Sequence, residues 1–301
     1  MSGTVWAAII TGSLGLLASV VSLVFNARNQ RKQAEFENQL KRREAEEDAW
    51  RAYEFQALKR LYGEVRPLLF QVAEQSHLGR DRLGRVLKGE INALEKVGTT
   101  TLRICAPLVL ARDLQRRLTN VDLALDDSVR NQYFVVREML NNLHAGRAIA
   151  AVEPKIDYRR AGDPRAHLTW SQLDRVIEVF TVREADGSTR PMRQGELDAM
   201  LVPERVAELD EKLKVVRALF GNLPEYPSRV LGRLLLAQAA FMHALIQMQD
   251  SAKNGIPISV LPIKASDVDW PFIGPADVAA AEAYVRGRLP GVSFQSERAD
   301  L

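Results

Sequence analysis

The sequence is poor in the residues that most often carry chemistry. It holds one cysteine, Cys105, in 301 residues. No intramolecular disulfide and no cysteine-based metal site can form from that. Cys105 lies in the apolar run Ile104 to Leu110, where a thiol is a small inert hydrophobe rather than a nucleophile. Four histidines, His77, His144, His167 and His243, are scattered without metal-ligand spacing. Phosphate loops of the G-x-x-x-x-G-K-S/T type, H-E-x-x-H and EF-hand patterns are all missing. The segment Gly79-Arg80-Asp81-Arg82-Leu83-Gly84 has glycines but neither a preceding strand nor the G-K-S/T ending. Strong charge of one sign is missing too: 41 basic against 38 acidic residues give +3, too balanced to announce a nucleic-acid binder. Lysine is scarce beside arginine, 10 to 31, a skew typical of GC-rich bacterial genomes. No catalytic residue, cofactor or metal is expected on these grounds, and the chain does not read as an enzyme.

The strongest positive signal is a long apolar run. Val5 to Phe25 are 21 consecutive uncharged, mostly apolar residues. As a helix they span about 32 Å, against a bilayer core of about 30 Å. A signal peptide needs a basic leader, a shorter apolar stretch and a small-residue cleavage motif; no Lys or Arg precedes Arg28. A transmembrane anchor over 1–27 is the expectation. Arg28, Arg31 and Lys32 flank it on one side only. The positive-inside rule then puts the N-terminus outside and the C-terminal body in the cytoplasm, as a single-pass protein of the inner (plasma) membrane. The lone cysteine agrees with a reducing compartment.

Within the run, Ala8, Gly12, Gly15, Ser19, Ser22 and Asn26 recur at intervals of 4, 3, 4, 3 and 4. Small residues on one helix face let backbones approach closely in lipid, where packing drives association. Ala8, Gly12, Gly15, Ser19 and Ser22 are therefore candidates for self-association of the anchor, and the lipid bilayer and a homo-oligomer are expected partners beside an unidentified protein.

A charged stalk is expected over 28–51. It carries seven basic and six acidic residues in 24. Arg31–Glu35, Glu37–Lys41, Arg42–Glu46, Arg43–Glu47 and Glu47–Arg51 sit at favourable helical spacings. No Gly or Pro falls between Gly15 and Gly63, so one helix from Val5 to Tyr62 would run about 87 Å. Carrying the small-residue frame onward meets Phe36, Leu40 and Trp50 but also Arg43, Glu47 and Glu54. A mixed-charge single helix fits better than a sustained coiled-coil seam.

The rest reads as a mainly α cytosolic bundle with one small β-hairpin. A helical domain spans 52–253, and a proline-rich strap with a C-terminal helix spans 254–301. Apolar spacing from Trp50 through Val72 marks a helix that Pro67 should kink near Arg66. Further helices are expected at Asp81–Lys96, at Thr99–Leu118 with Pro107 inside, and at Asp126–Ala145, where Asp126-Asp127-Ser128 supplies N-cap chemistry. Ala161–His167 reads as a loop, beside the basic trio Arg159, Arg160 and Arg165. A helix near Ser171–Glu178 leads into Val179–Met192, where Asp186-Gly187 between alternating residues signals a hairpin. Helices follow from Pro203 to about Leu219, from Tyr226 to Asp250 as the apolar core helix, and from Ala276 to Leu289. Four of 13 prolines fall between Asn254 and Pro275, which favours an extended strap. Asp267, Asp269 and Trp270 there, with Asp157 and Asp163, read as loop residues rather than a metal site.

The stretch Tyr53-Glu54-Phe55-Gln56-Ala57-Leu58-Lys59-Arg60-Leu61-Tyr62, continuing through Pro67-Leu68-Leu69-Phe70-Gln71, resembles uncharacterised actinobacterial membrane-anchored proteins. Leu114-Gln115-Arg116-Arg117-Leu118-Thr119 with Val121-Asp122 is similar to the same group. The resemblance implies the order anchor, charged stalk, helical body and hairpin, and it transfers no catalytic residue. Two functional classes fit: a membrane-anchored scaffold or sensor, and a membrane effector, for example of bacterial antiviral defence, that acts by oligomerising its transmembrane helix.

Overall fold

The computed structural model describes residues 3–91, 97–118, 122–145, 170–214, 228–251, 260–262, 264–269 and 273–289. Of the first 21 residues only Ser19 has a described side chain. The protein is mainly helical, with one two-stranded antiparallel sheet among the described residues. By its contacts the chain divides into two units, Met1–Leu58 and Lys59–Leu301.

The first unit is a single helix. α1 runs Gly3–Arg60, 58 residues without a break, as the lack of Gly and Pro after Gly15 allows. Its described side chains are exposed along almost the whole length. Arg51 bridges to Glu47 and Asp48, one turn back, at 3.6 and 3.7 Å.

In the second unit, Leu61–Val65 forms one wide π-helical turn and α2 follows from Arg66 to Leu87. Proline explains the sequence of events. Pro67 has no N–H to donate and its ring crowds the carbonyl four residues back. The wider turn makes room, and Pro67 falls in the first turn of α2; because the residues before it are helical too, one carbonyl of the preceding turn goes without its usual donor. The expected kink near Arg66 takes this form. Of the helix expected at Asp81–Lys96, residues 81–87 belong to α2, 88–91 are non-helical and 92–96 lie outside the described residues; Leu68, Leu69, Val72, Ala73, Ser76, Gly79, Leu83, Val86 and Leu87 make one buried face along a single α2. The helix stops at Leu87, and Gly89 turns away with φ of 69°.

α3 (Val97–Arg117) packs along α2, and α8 (Ser228–Ser251) packs along α2 as well. α8 is buried at every residue from 232 to 246, the central helix that its apolar composition suggested. α4 (Asp127–Ala145) lies against α8. Asp126 caps it, its Oδ1 accepting from the N–H groups of Ser128 and Val129 at 2.8 and 3.1 Å, and its Oδ2 accepts from the Tyr62 hydroxyl at 3.1 Å. Inside the α4–α8 seam, Asn142 Nδ2 donates to Gln238 Oε1 and to the Leu234 carbonyl at 2.9 and 3.2 Å.

α5 (Trp170–Val179) leads into β1 (Thr181–Arg183) and β2 (Thr189–Pro191), paired as Thr181–Pro191, Val182–Arg190 and Arg183–Thr189. The hairpin expected at Asp186-Gly187 is there. Gly187 sits at φ of 82°, a conformation that favours glycine. Arg190 pairs with Glu184 across the turn and with Glu196 of α6 (Gln194–Met200). α7 covers Pro203–Lys212. Residues 254–259, Trp270 and the 161–167 loop lie outside the described residues. Of the expected strap, Val260 is buried, and the Asp269 N–H donates to the Leu87 carbonyl at 2.9 Å.

α9 (Pro275–Arg288) is tied at both ends. Asp277 in its first turn pairs with Arg233 of α8, both almost fully buried. Arg288 in its last turn reaches the buried carboxylate of Glu138 on α4 at 2.7 Å. Between them Tyr284 meets Phe241 edge-on, with centroids 6.1 Å apart.

Of the described glycines, Gly79 has the closest surroundings. A Cβ there would stand 2.7 Å from the Arg103 carbonyl oxygen and 3.0 Å from Met242 Cε and Sδ. Pro107, buried inside α3, has no N–H to give that same Arg103 carbonyl, four residues back. A backbone carbonyl cannot swing aside as a side-chain tip can. Gly79→Ala should therefore force α2 and α3 apart and cost about 1–3 kcal/mol, despite the better helix propensity of alanine. Thermal unfolding of the variant checks it: an unchanged or raised midpoint would mean that the seam yields freely.

Candidate functional site

The residues expected to act in the membrane lie on α1. The backbone of Ala8, Gly12 and Gly15 is helical, but their side chains lie outside the described residues, as does most of the apolar run. Ser19 and Ser22 are exposed, and so are Arg28, Arg31 and Lys32. Among the described residues no helix is long and apolar enough to cross a membrane. Past the basic flank, α1 leaves large apolar side chains uncovered: Phe36 is 64 % exposed, Leu40 45 % and Trp50 62 %. These are three of the five apolar positions in the frame of the small-residue stripe, beside Ala57 and Leu61, and Trp50 also stacks obliquely on Tyr53. Charged Arg43, Glu47 and Glu54 interrupt the same frame.

In the body, packing of α2 against α8 brings together a polar group that the sequence did not reveal. Arg80 is its hub. Its Nε and Nη2 donate to Asp81 Oδ1 at 3.0 and 2.8 Å. Nη2 also reaches His77 Nδ1 at 3.1 Å, and Nη1 reaches His243 Nδ1 at 3.4 Å. His77, Arg80 and Asp81 share a helix face by their spacing of three and four, a signal that was legible. His243 stands 163 residues from Arg80, and nothing in the sequence announces that meeting. Burial first, then the charge of Arg80 and then His77, push the His243 pKa down to about 4. The imidazole is thus neutral at pH 7, and Nδ1 can accept from the guanidinium.

A second polar region lies where α3 meets α5 and the hairpin. Val109, Arg112, Asp113, Arg116, Asp174, Glu178 and Arg183 are among the residues around a cleft of about 270 Å³. Two ion pairs fall there: Arg112 pairs with Asp174, and Asp113 pairs with Arg117. Burial and the neighbouring Arg116 lower the Arg112 pKa, and Glu178 opposes them. At the hairpin, hydrogen bonds from Arg190 and from the Arg193 N–H hold Glu196 down to about 2. Such shifts mark structural ion pairs as readily as sites. Cys105 is buried, and desolvation pushes its thiol up to about 12, which leaves it without thiolate character. Among the described residues no group of His, Cys, Asp and Glu could hold a metal ion. Asp157, Asp163, Arg159, Arg160 and Arg165 lie outside those residues.

Comparison with known protein families finds no match, and searches of curated proteins and of solved structures find none either. The functional reading rests on this chain's own residues.

The His243 environment gives a pH dependence with a definite sign. Its folded-state pKa of about 4 lies below the ordinary 6.5. Between those values the unfolded chain binds more protons, so stability is full above pH 6.5 and is lost as pH falls toward 4. Wild type should lose about 1–2 kcal/mol by pH 5 from this group. His243→Asn should show a flatter stability profile between pH 7 and 5; parallel profiles would remove the imidazole from the account.

Proposed function

We propose that the protein is a membrane-anchored interaction protein, a scaffold or sensor whose helical body faces the cytoplasm. The observation that carries the reading is α1. One unbroken helix joins an uncharged run of membrane-spanning length to an exposed stalk of mixed charge. Arg28, Arg31 and Lys32 supply the one-sided basic flank and stand exposed where anionic headgroups can be met, at about 1 kcal/mol each. In the body, the polar groups around Arg80, Arg190 and Arg233 tie elements together.

A second reading, a membrane effector that acts by oligomerising its transmembrane helix, draws support from one feature. The stripe Ala8, Gly12, Gly15, Ser19 and Ser22 stays in phase with the exposed Phe36, Leu40 and Trp50 further along the same helix. Close packing of small residues in lipid contributes about 1 kcal/mol per contact, so several must act together.

Three measurements test these readings. The chain should fractionate with membranes and resist alkaline extraction, and a C-terminal reporter should be active only in the cytoplasm; a soluble chain or an external reporter overturns the anchored reading. Gly12→Leu with Gly15→Leu should abolish cross-linked dimer in native membranes, whereas Leu14→Ala with Leu17→Ala should leave it. Equal dimer yield from wild type and the double-Leu variant would remove the effector reading.

A further inference from the structure

Several buried and half-buried arginines of the body come with carboxylates: Arg112 with Asp174, Arg190 with Glu184 and Glu196, Arg233 with Asp277, Arg288 with Glu138. Arg82 breaks the pattern. Its Nε and Nη2 donate instead to the hydroxyl oxygen of buried Thr100, at 3.0 and 2.8 Å. That clamp fixes the guanidinium plane without neutralising it, and it leaves Nη1 with no acceptor among the described residues.

Two further guanidiniums stand beside it. Arg85 lies one turn along α2, and Arg103 lies one turn along α3 from Thr100. The two helices are held in close approach there, because the Arg103 carbonyl abuts Gly79, one turn before Arg82. Burial and then the charges of Arg85 and Arg103 lower the Arg82 pKa, as like charges in proximity must. The sole acid paired with the group among the described residues is Glu90, 3.4 Å from Arg85, and both partners are exposed; such a pair contributes little. No carboxylate among the described residues pairs with Arg82 or Arg103. Among the described residues, three cations against one weakly held anion leave a surplus of two positive charges at one edge of the α2–α3 seam.

We propose that Arg82, Arg85 and Arg103 form a binding site for a phosphate group carried by a small molecule or a lipid headgroup. Guanidinium matches phosphate oxygens with paired, charge-assisted hydrogen bonds. A dianion would offset the surplus charge, and the Thr100 clamp holds Arg82 in place before the ligand arrives, which lowers the ordering cost of binding. The site does not depend on how the chain is anchored.

The test uses the full chain in neutral detergent at fixed ionic strength. Thermal unfolding is followed against inorganic phosphate, with chloride as the control, and separately against short-chain phosphatidic acid, with short-chain phosphatidylcholine as the control. Wild type should be stabilised by a phosphate-bearing probe, with an apparent affinity that weakens about tenfold or more in Arg82→Gln. Arg103→Gln should behave alike; its side chain makes no hydrogen bond among the described residues, so this variant keeps the test alive if Arg82→Gln folds poorly. Protection by inorganic phosphate assigns a soluble phosphorylated ligand, and protection by phosphatidic acid alone assigns a headgroup. No protection by either probe, or equal protection of wild type and both variants, overturns the site.

Discussion

The body is organised around the contact of Gly79 with the Arg103 carbonyl and Met242. No side chain fits between α2 and α3 at that point, and α8 closes the third side. The separation of α2 and α3 is set by backbone rather than by compressible side chains, so everything placed on them inherits a fixed geometry. Arg80 and Arg82 follow Gly79 within a single turn of α2. The first meets His243 of α8, and the second meets Thr100 of α3. Both meetings depend on axes held that close.

Charge is used sparingly and locally in the rest of the body. α9 has only a modest buried apolar face, Val278, Ala281 and Val285, and two ion pairs secure its ends. Breaking a buried pair leaves an uncompensated charge, so such pairs fix position more than they add net stability. The hairpin is secured in the same manner through Arg190. A chain with near-equal numbers of acids and bases can be stitched in this way without a large hydrophobic sheet.

Much of the framework was legible from residue order. The helical spacing of α4 with its Asp126 cap, the Asp186-Gly187 hairpin and the apolar α8 all follow from local rules. The sequence reads α2 as two pieces, an apolar face ending at Val72 and a second pattern from Asp81. Ser76 and Gly79 between them are both buried on the face of α2 that packs into the body, and at Gly79 even a Cβ finds no room. The polar groups were hidden for the same reason. His77, Arg80 and Asp81 could be placed on one face of a helix, whereas His243 and Thr100 join that neighbourhood only through packing. The candidate anchor residues were legible as a pattern, since a run of apolar residues with small ones in phase is a property of sequence alone.

The single cysteine has a practical consequence. Cys105 is buried in α3, and with a thiol pKa of about 12 it carries almost no thiolate at neutral pH, so the native chain is already silent toward thiol-directed labels. Reporter cysteines placed on the exposed stalk, at Asn38 or Ala45 for instance, would be read against a dark background without first altering the core. The same silence turns Cys105 itself into a clock: it reacts only when the packing around α3 opens, so its modification rate measures how often the interior of the body is breached.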